Sequence, residues 1–244
     1  QSAMLDVSRG SVPFVTSSST IASAAYVGGD LPVFYHRKTI GIVKAVMSRV
    51  GNGPFPSEYG GKKSEIYCIA SEKDGKPKYR TEVEKKLDVE KLLTSSDSFK
   101  LGIALRILSG EYGTRTTRPR RIGMFDLVQL SYSSKMNGID ELIINKCDIL
   151  SVYGKTKKRK IPVVNGYKLD NKTIDYLPSS SDATYRVLPN VVYWNAFSRD
   201  ITNIRKFADL PKELKEFIAN VEKATDTKVS GIGVGPERDQ FIQR

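Results

Sequence analysis

Residues 211 to 224, PKELKEFIANVEKA, put Leu214, Phe217, Ile218 and Val221 on one helical face and charged residues on the other. Pro211 suits the first turn of such a helix, and Asp209 stands where it can cap it. The next stretch, KVSGIGVGPERDQ, begins as a strand and runs into a glycine-rich loop. Upstream, LIINKCDIL opens as a buried strand on Leu142, Ile143 and Ile144. A helix with one apolar face, set between strands, has to cover a sheet. This alternation constrains the fold more than any other feature. It predicts an α/β domain whose ligands lie in the loops that follow strands.

The remaining pattern is less sharp. Residues 1 to 26 are rich in small and hydroxyl side chains and read as a short strand, a turn at Gly10 and a loop. Ile40, Val43 and Met47 recur at helical spacing within 37–48, ahead of the Gly/Pro-rich break RVGNGPFPSEYGG. Residues 62 to 100 are rich in lysine and glutamate and read as a solvated excursion with a short helix near 82–93. An apolar face from Phe125 to Met136 predicts a helix stopped by Asn137-Gly138. Residues 161 to 176 read as paired strands turning near Asp170-Asn171-Lys172.

The 39 Lys and Arg residues outnumber the 27 Asp and Glu, a net charge of +12. That balance points to anionic partners: phosphates, nucleotides, nucleic acid or an acidic membrane surface. No apolar run approaches the roughly 20 residues that cross a bilayer. Cys68 and Cys147 have no metal-site spacing and read as reduced, buried thiols, so the expected compartment is the cytosol. His36 is the only histidine, which argues against a histidine-based triad or a multi-histidine metal site within these residues. The first residue is Gln1, and the chain opens inside what reads as working structure, so a longer product is expected.

Four motifs carry chemistry. In NKCD (145–148), a carboxylate at a strand end could accept the N1–H and 2-amino donors of guanine, with the lysine stem along the purine face. Four residues alone do not separate that from an ordinary strand terminus. GVGPERD (233–239) permits close backbone approach to a flat ligand, or is a simple surface turn. GTRTTRPRR (113–121) offers paired guanidinium donors and short hydroxyls to anions, or is a solvated basic loop. KTKKRK (155–160) reads first as a solvated lysine-rich hairpin or loop and second as a nucleic-acid patch, since no aromatic residues interleave for base stacking.

Taken in order, QSAMLDVSRGSVPFVTSSST (1–20), SRVGNGPFPSE (48–58), EYGTRTTRPRRIGMFD (111–126), NKCD, YKLDNKTIDYLP (167–178) and VGPERD (234–239) resemble adenylosuccinate synthetase, the GTP-dependent ligase of purine (AMP) biosynthesis. The resemblance covers the C-terminal part of that family. It implies one α/β domain over 1–244, of the phosphate-loop ligase type, with a large, mostly parallel sheet and flanking helices. A β-hairpin region and an inserted charged segment at 62–110 would complete it. The phosphate loop with its general base, and the histidine general acid, belong upstream of Gln1, so no catalytic residue and no metal ligand is assigned here. Mg²⁺ is implied, with its ligands upstream.

The resemblance implies IMP, GTP and L-aspartate as ligands, and a homodimer. It assigns Gln1, Thr16 and Arg118 to IMP. Val50 and the loop Thr114, Arg115, Thr116, Thr117, Arg118, Pro119 and Arg120 go to aspartate. Arg120, Lys146, Cys147, Asp148, Gly233, Val234 and Gly235 go to GTP. Three positions depart from the family pattern: Arg115 replaces a threonine, Thr117 a glycine, and Gly233 a residue that is commonly serine. A basic nucleic-acid-binding module is the competing class, without any RNA- or DNA-binding motif behind it. A non-catalytic nucleotide-binding relative is a third.

Overall fold

The computed structural model describes residues 38–73, 77–115 and 117–244. Gln1, Thr16, His36 and Thr116 lie outside them. The open α/β class expected from the sequence is present. Its central sheet runs β1 (Ile40–Lys44), β5 (Glu141–Asn145), β9 (Lys228–Gly233) and β10 (Phe241–Gln243). The first three strands are parallel, and β10 returns antiparallel to β9. Leu142, Ile144, Val229 and Ile232 bury one face of this sheet completely or nearly so.

A second sheet joins β4 (Phe125–Asp126), β6 (Lys160–Leu169), β7 (Lys172–Ile174) and β8 (Leu188–Asn195). The expected hairpin is its β6–β7 pair. Asp170 and Asn171 take φ of 48° and 67°, the left-handed pair that a two-residue type I′ turn needs. A two-stranded ribbon pairs β2 (Met47–Arg49) with β3 (Arg121–Gly123).

The amphipathic helix forms as Lys212–Thr225, with Leu214, Phe217, Ile218 and Val221 in the core. Phe217 meets Phe125 and Trp194 edge-on, with centroids 5.1 and 5.3 Å apart, so one side chain clamps the second sheet to this helix. Asp209 does not cap it. Pro211 occupies the N-cap, and Asp209 is held two residues earlier in the 3₁₀ turn Phe207–Asp209. The helix expected after Phe125 runs Leu127–Met136, with Asn137 as its C-cap and Gly138 at φ 54°.

Two expectations are corrected. Residues 40–49 form β1 and β2 rather than a helix. Parallel pairing of β1 with β5, in register from Ile40↔Glu141 to Lys44↔Asn145, overrides the local spacing. The segment 62–100 is packed rather than solvated. Residues 61–109 form four helices: α1 (Gly61–Lys73), α2 (Pro77–Glu84), α3 (Val89–Leu93) and α4 (Ser98–Ser109). Helix α4 buries Ile103, Ala104, Leu105 and the whole of Arg106. The charges that look solvated in sequence are in part paired inside: the Arg106 guanidinium bonds Glu84 of α2.

Candidate functional site at the strand ends

The carboxyl ends of adjacent parallel strands carry two of the motifs. NKCD leaves β5, and GVGPERD leaves β9 beside it. At Gly233 a Cβ would sit 2.7 Å from the Asn145 Oδ1 and 3.2 Å from its Cα, so a side chain there would have to displace the Asn145 carboxamide where the two strand ends touch. Gly235 is as closely covered, by the Gln240 carboxamide, whose Oε1 accepts the Glu237 N–H at 2.9 Å.

Val234 and Cys147 are fully buried. Burial also pushes the Cys147 thiol pKa well up, which leaves it protonated. Lys146 stands in the left-handed region at φ 62°, and its Nζ donates to the Ser109 carbonyl and to Glu111 Oε1, each at 2.6 Å. Burial raises the Asp148 carboxyl above the usual carboxylate range, against the pull of backbone N–H bonds and of Lys146.

The arginine loop is a small hairpin. Tyr112 bridges Pro119, the Gly113 N–H donates to the Arg118 carbonyl at 2.8 Å, and the Arg120 N–H donates to the Glu111 carbonyl at 3.0 Å. Thr114 and Arg115 lie exposed at its tip. Thr117 holds φ 53°, a left-handed conformation that a β-branched residue adopts only under strain. This is the position where the family pattern has glycine. The strained turn is held from outside, because the Thr81 hydroxyl of α2 donates to the Thr117 carbonyl. Thr117→Gly is expected to raise thermal stability by about 1 kcal/mol. A melting temperature that falls instead would show that the hydroxyl or methyl of Thr117 outweighs the strain.

Behind the loop, Arg121 is a strut. Its side chain is buried, donates to both Glu58 oxygens at 2.6–3.1 Å, and reaches the carbonyls of Gly51 and Gly53 at 3.1 and 2.6 Å. It thereby fastens RVGNGPFPSE to the loop. Val50, Arg118, Pro119 and Arg120 line one cavity of about 30 Å³. That is room for a water molecule and not for an amino acid.

The residue that sequence reasoning passed over is Glu111. Its side chain is 1% exposed and accepts from Lys44 at 2.8 and 3.0 Å, from Lys146 at 2.6 Å and from Arg120 at 2.8 Å. Burial alone would raise its pKa. Hydrogen bonds from Lys146, Lys44 and Arg120 outweigh burial and hold the carboxyl at about 2. The only signal in the sequence was one acid at the head of EYGTRTTRPRR.

The run KTKKRK lies between the 3₁₀ helix Cys147–Lys155 and β6. Lys158 sits over the Tyr193 ring at 4.9 Å, and Lys160 donates to Asn195 at 2.5 Å. These contacts brace the β6–β8 pair, and the run is a connection from a 3₁₀ helix to a strand rather than a hairpin. Among the described residues no three His, Cys, Asp or Glu side chains converge as a metal site, and no helix is long and apolar enough to cross a membrane.

Parallel strands ending in a cationic, carboxylate-braced loop cluster define an open α/β protein of the class that binds ligands at its strand ends. The family model for adenylosuccinate synthetase matches residues 1–242, and the chain belongs to that family. It is 42% identical to adenylosuccinate synthetase 2 of Cupriavidus pinatubonensis, over 99% of this chain and 49% of that protein. It is 33% identical to the Micrococcus luteus synthetase, over 100% and 47%. The fully ligated synthetase from Plasmodium falciparum superposes with a TM-score of 0.70 at 27% identity, over 99% of this chain and 48% of the other. The chain spans about half the length of the curated relatives it matches.

Proposed function

We propose that this chain supplies the nucleotide- and aspartate-binding part of a ligase that joins L-aspartate to IMP at the expense of GTP, yielding adenylosuccinate, GDP and phosphate. The observation that carries this reading is the meeting of NKCD, the arginine loop and the Val50 segment at one end of the parallel sheet. In the reading, GTP phosphorylates the 6-oxygen of IMP, and the amine of aspartate displaces that phosphate. Such a route turns a poor leaving group into a good one, and the developing charge needs cationic donors held in advance.

Arg118 takes the aspartate carboxylate and the IMP ribose, Val50 lines the same site, and Thr114 to Thr117 with Pro119 shape the loop. Arg120 reaches towards GTP. Asp148 accepts the guanine N1–H and 2-amino group, Lys146 lies along the base, and the backbone of Cys147, Gly233, Val234 and Gly235 closes around it. Gln1 and Thr16 complete the IMP contacts, and the protein works as a homodimer. None of the described residues forms a cluster suited to Mg²⁺, so no role is given to it among them.

The test is ligation by the full-length protein, followed as adenylosuccinate formed from IMP, GTP and L-aspartate. Absence of product at saturating substrates would refute the assignment.

The role of Asp148 has a pH signature. Its carboxylate must be ionised to accept two donors, and its pKa lies above the usual range. Preference for GDP over IDP, which lacks the 2-amino group, is therefore strong near pH 7 and is lost as pH falls through that raised pKa. Competition titrations between about pH 7 and about pH 4 read it directly. A preference unchanged down to the lower limit would remove Asp148 as the guanine reader.

A further inference from the structure

We propose that Glu111 is a positioning residue that ties guanine recognition to the arginine loop, so that filling either site sets the other. The proposal rests on the functional reading above, since it takes Lys146 as part of the guanine site and Arg120 as part of the loop. Its own basis is geometric. One buried carboxylate gathers Lys44 from the end of β1, Lys146 from the end of β5 and Arg120 from the loop, residues 67, 35 and 9 positions away. No other described carboxylate joins the two motifs.

The fold delivers Glu111 to this point. Helix α4 ends at Gly110, whose φ of 64° turns the chain sharply, and the last helical carbonyl, Ser109, accepts from the same Lys146 ammonium at 2.6 Å. Lys146 is thus fixed by two acceptors that belong to the root of the arginine loop. Further back, the Arg106 Nε of α4 donates to the Arg120 carbonyl at 2.7 Å, so the loop and the helix end move together.

The charge balance favours a positioning role over a simple ion cluster. One negative charge faces three positive ones, and the side chains of Lys44, Lys146 and Arg120 stay 27–37% exposed while Glu111 is sealed. Their outer sides remain open and carry the surplus positive charge that anionic groups would meet. The guanidinium of Arg120 is bonded to Glu111 through one terminal nitrogen, and its buried Nε has no hydrogen-bond partner among the described residues. An anion that draws Arg120 forward pulls on the carboxylate that also holds Lys146. The converse must hold to the same degree, because coupling between two sites is reciprocal.

The experiment is steady-state ligation by the full-length protein with Glu111→Gln, which keeps the shape, removes the charge and turns a donor amide towards the cations. The expected result is a joint rise of about 10-fold or more in KM for GTP and for L-aspartate. In addition, KM for GTP should no longer depend on aspartate concentration. Asp148→Asn is the contrast, raising KM for GTP and leaving that for aspartate. If Glu111→Gln moves one KM without the other, or lowers thermal stability with both unchanged, the proposal is overturned. Should the glutamine variant fail to fold, Glu111→Asp decides: it keeps the charge with a shorter reach, so a joint rise supports the coupling and two unchanged values overturn it. A wild-type protein without ligation activity overturns the functional reading and this one with it. An active wild type whose KM values survive Glu111→Gln overturns this one alone.

Discussion

Replacing Arg118 by leucine is expected to lower kcat/KM for L-aspartate roughly a thousandfold, the scale on which a preorganised charged donor is lost. The backbone carbonyl of Arg118, which accepts from the Gly113 N–H at 2.8 Å, is kept in the variant. Its side chain is only half-buried at the cavity it shares with Val50 and Arg120. Arg118→Lys should fall between, because a lysine restores the charge without the paired donors that match a carboxylate. Kinetics in aspartate beside a melting curve decide the matter. A leucine variant with wild-type turnover would show that the loop binds something else.

Replacing Arg106 by methionine is expected to cost about 3–5 kcal/mol of stability, a large share of the roughly 5–15 kcal/mol that holds a domain together. The guanidinium is sealed in α4, where it pairs with the equally sealed Glu84, meets the Cys68 sulfur at 3.6 Å and donates to the Arg120 carbonyl. Methionine fills much of the volume but leaves the buried Glu84 carboxyl with the Tyr112 hydroxyl at 2.7 Å as its remaining hydrogen-bond partner among the described residues. Adding Glu84→Leu removes the orphaned charge and should return most of the loss. Chemical denaturation of the two single variants and the double variant closes the cycle. A cost below about 1 kcal/mol for Arg106→Met would mean that Glu84 finds other partners, water among them.

These variants separate two kinds of legibility. The strongly basic character of the arginine loop was readable because four guanidiniums in nine residues are a local property, and it left an anion-binding loop and a solvated basic loop both open. Which of the four does what was not readable. Arg121 in that run is a buried strut to Glu58 and the Gly51 and Gly53 carbonyls, whereas Arg118 is only half-buried. Composition cannot tell a strut from a ligand-facing donor, because the difference lies in which backbone folds over each side chain. The same limit applies to Thr117. Its departure from glycine was visible, but its left-handed backbone and the Thr81 hydroxyl that braces it come from an α2 helix packed against the loop.

From the sequence alone came the elements whose cause is local: the Lys212–Thr225 helix with its apolar face, the β6–β7 hairpin turning on Asp170-Asn171, and β9 running into its glycine loop. Local spacing, capping and turn chemistry act over a few residues, so a short window contains the whole argument. Tertiary structure alone decided the rest. Residues 40–49 are strands because β1 pairs with a partner about a hundred positions away. The helices of 61–109 are packed because Arg106 finds Glu84. Glu111 is ionised in the interior because three cations from distant segments converge on it. A buried charge or a parallel strand is stable only with its partner present, and a partner tens of residues away leaves no mark on the local pattern.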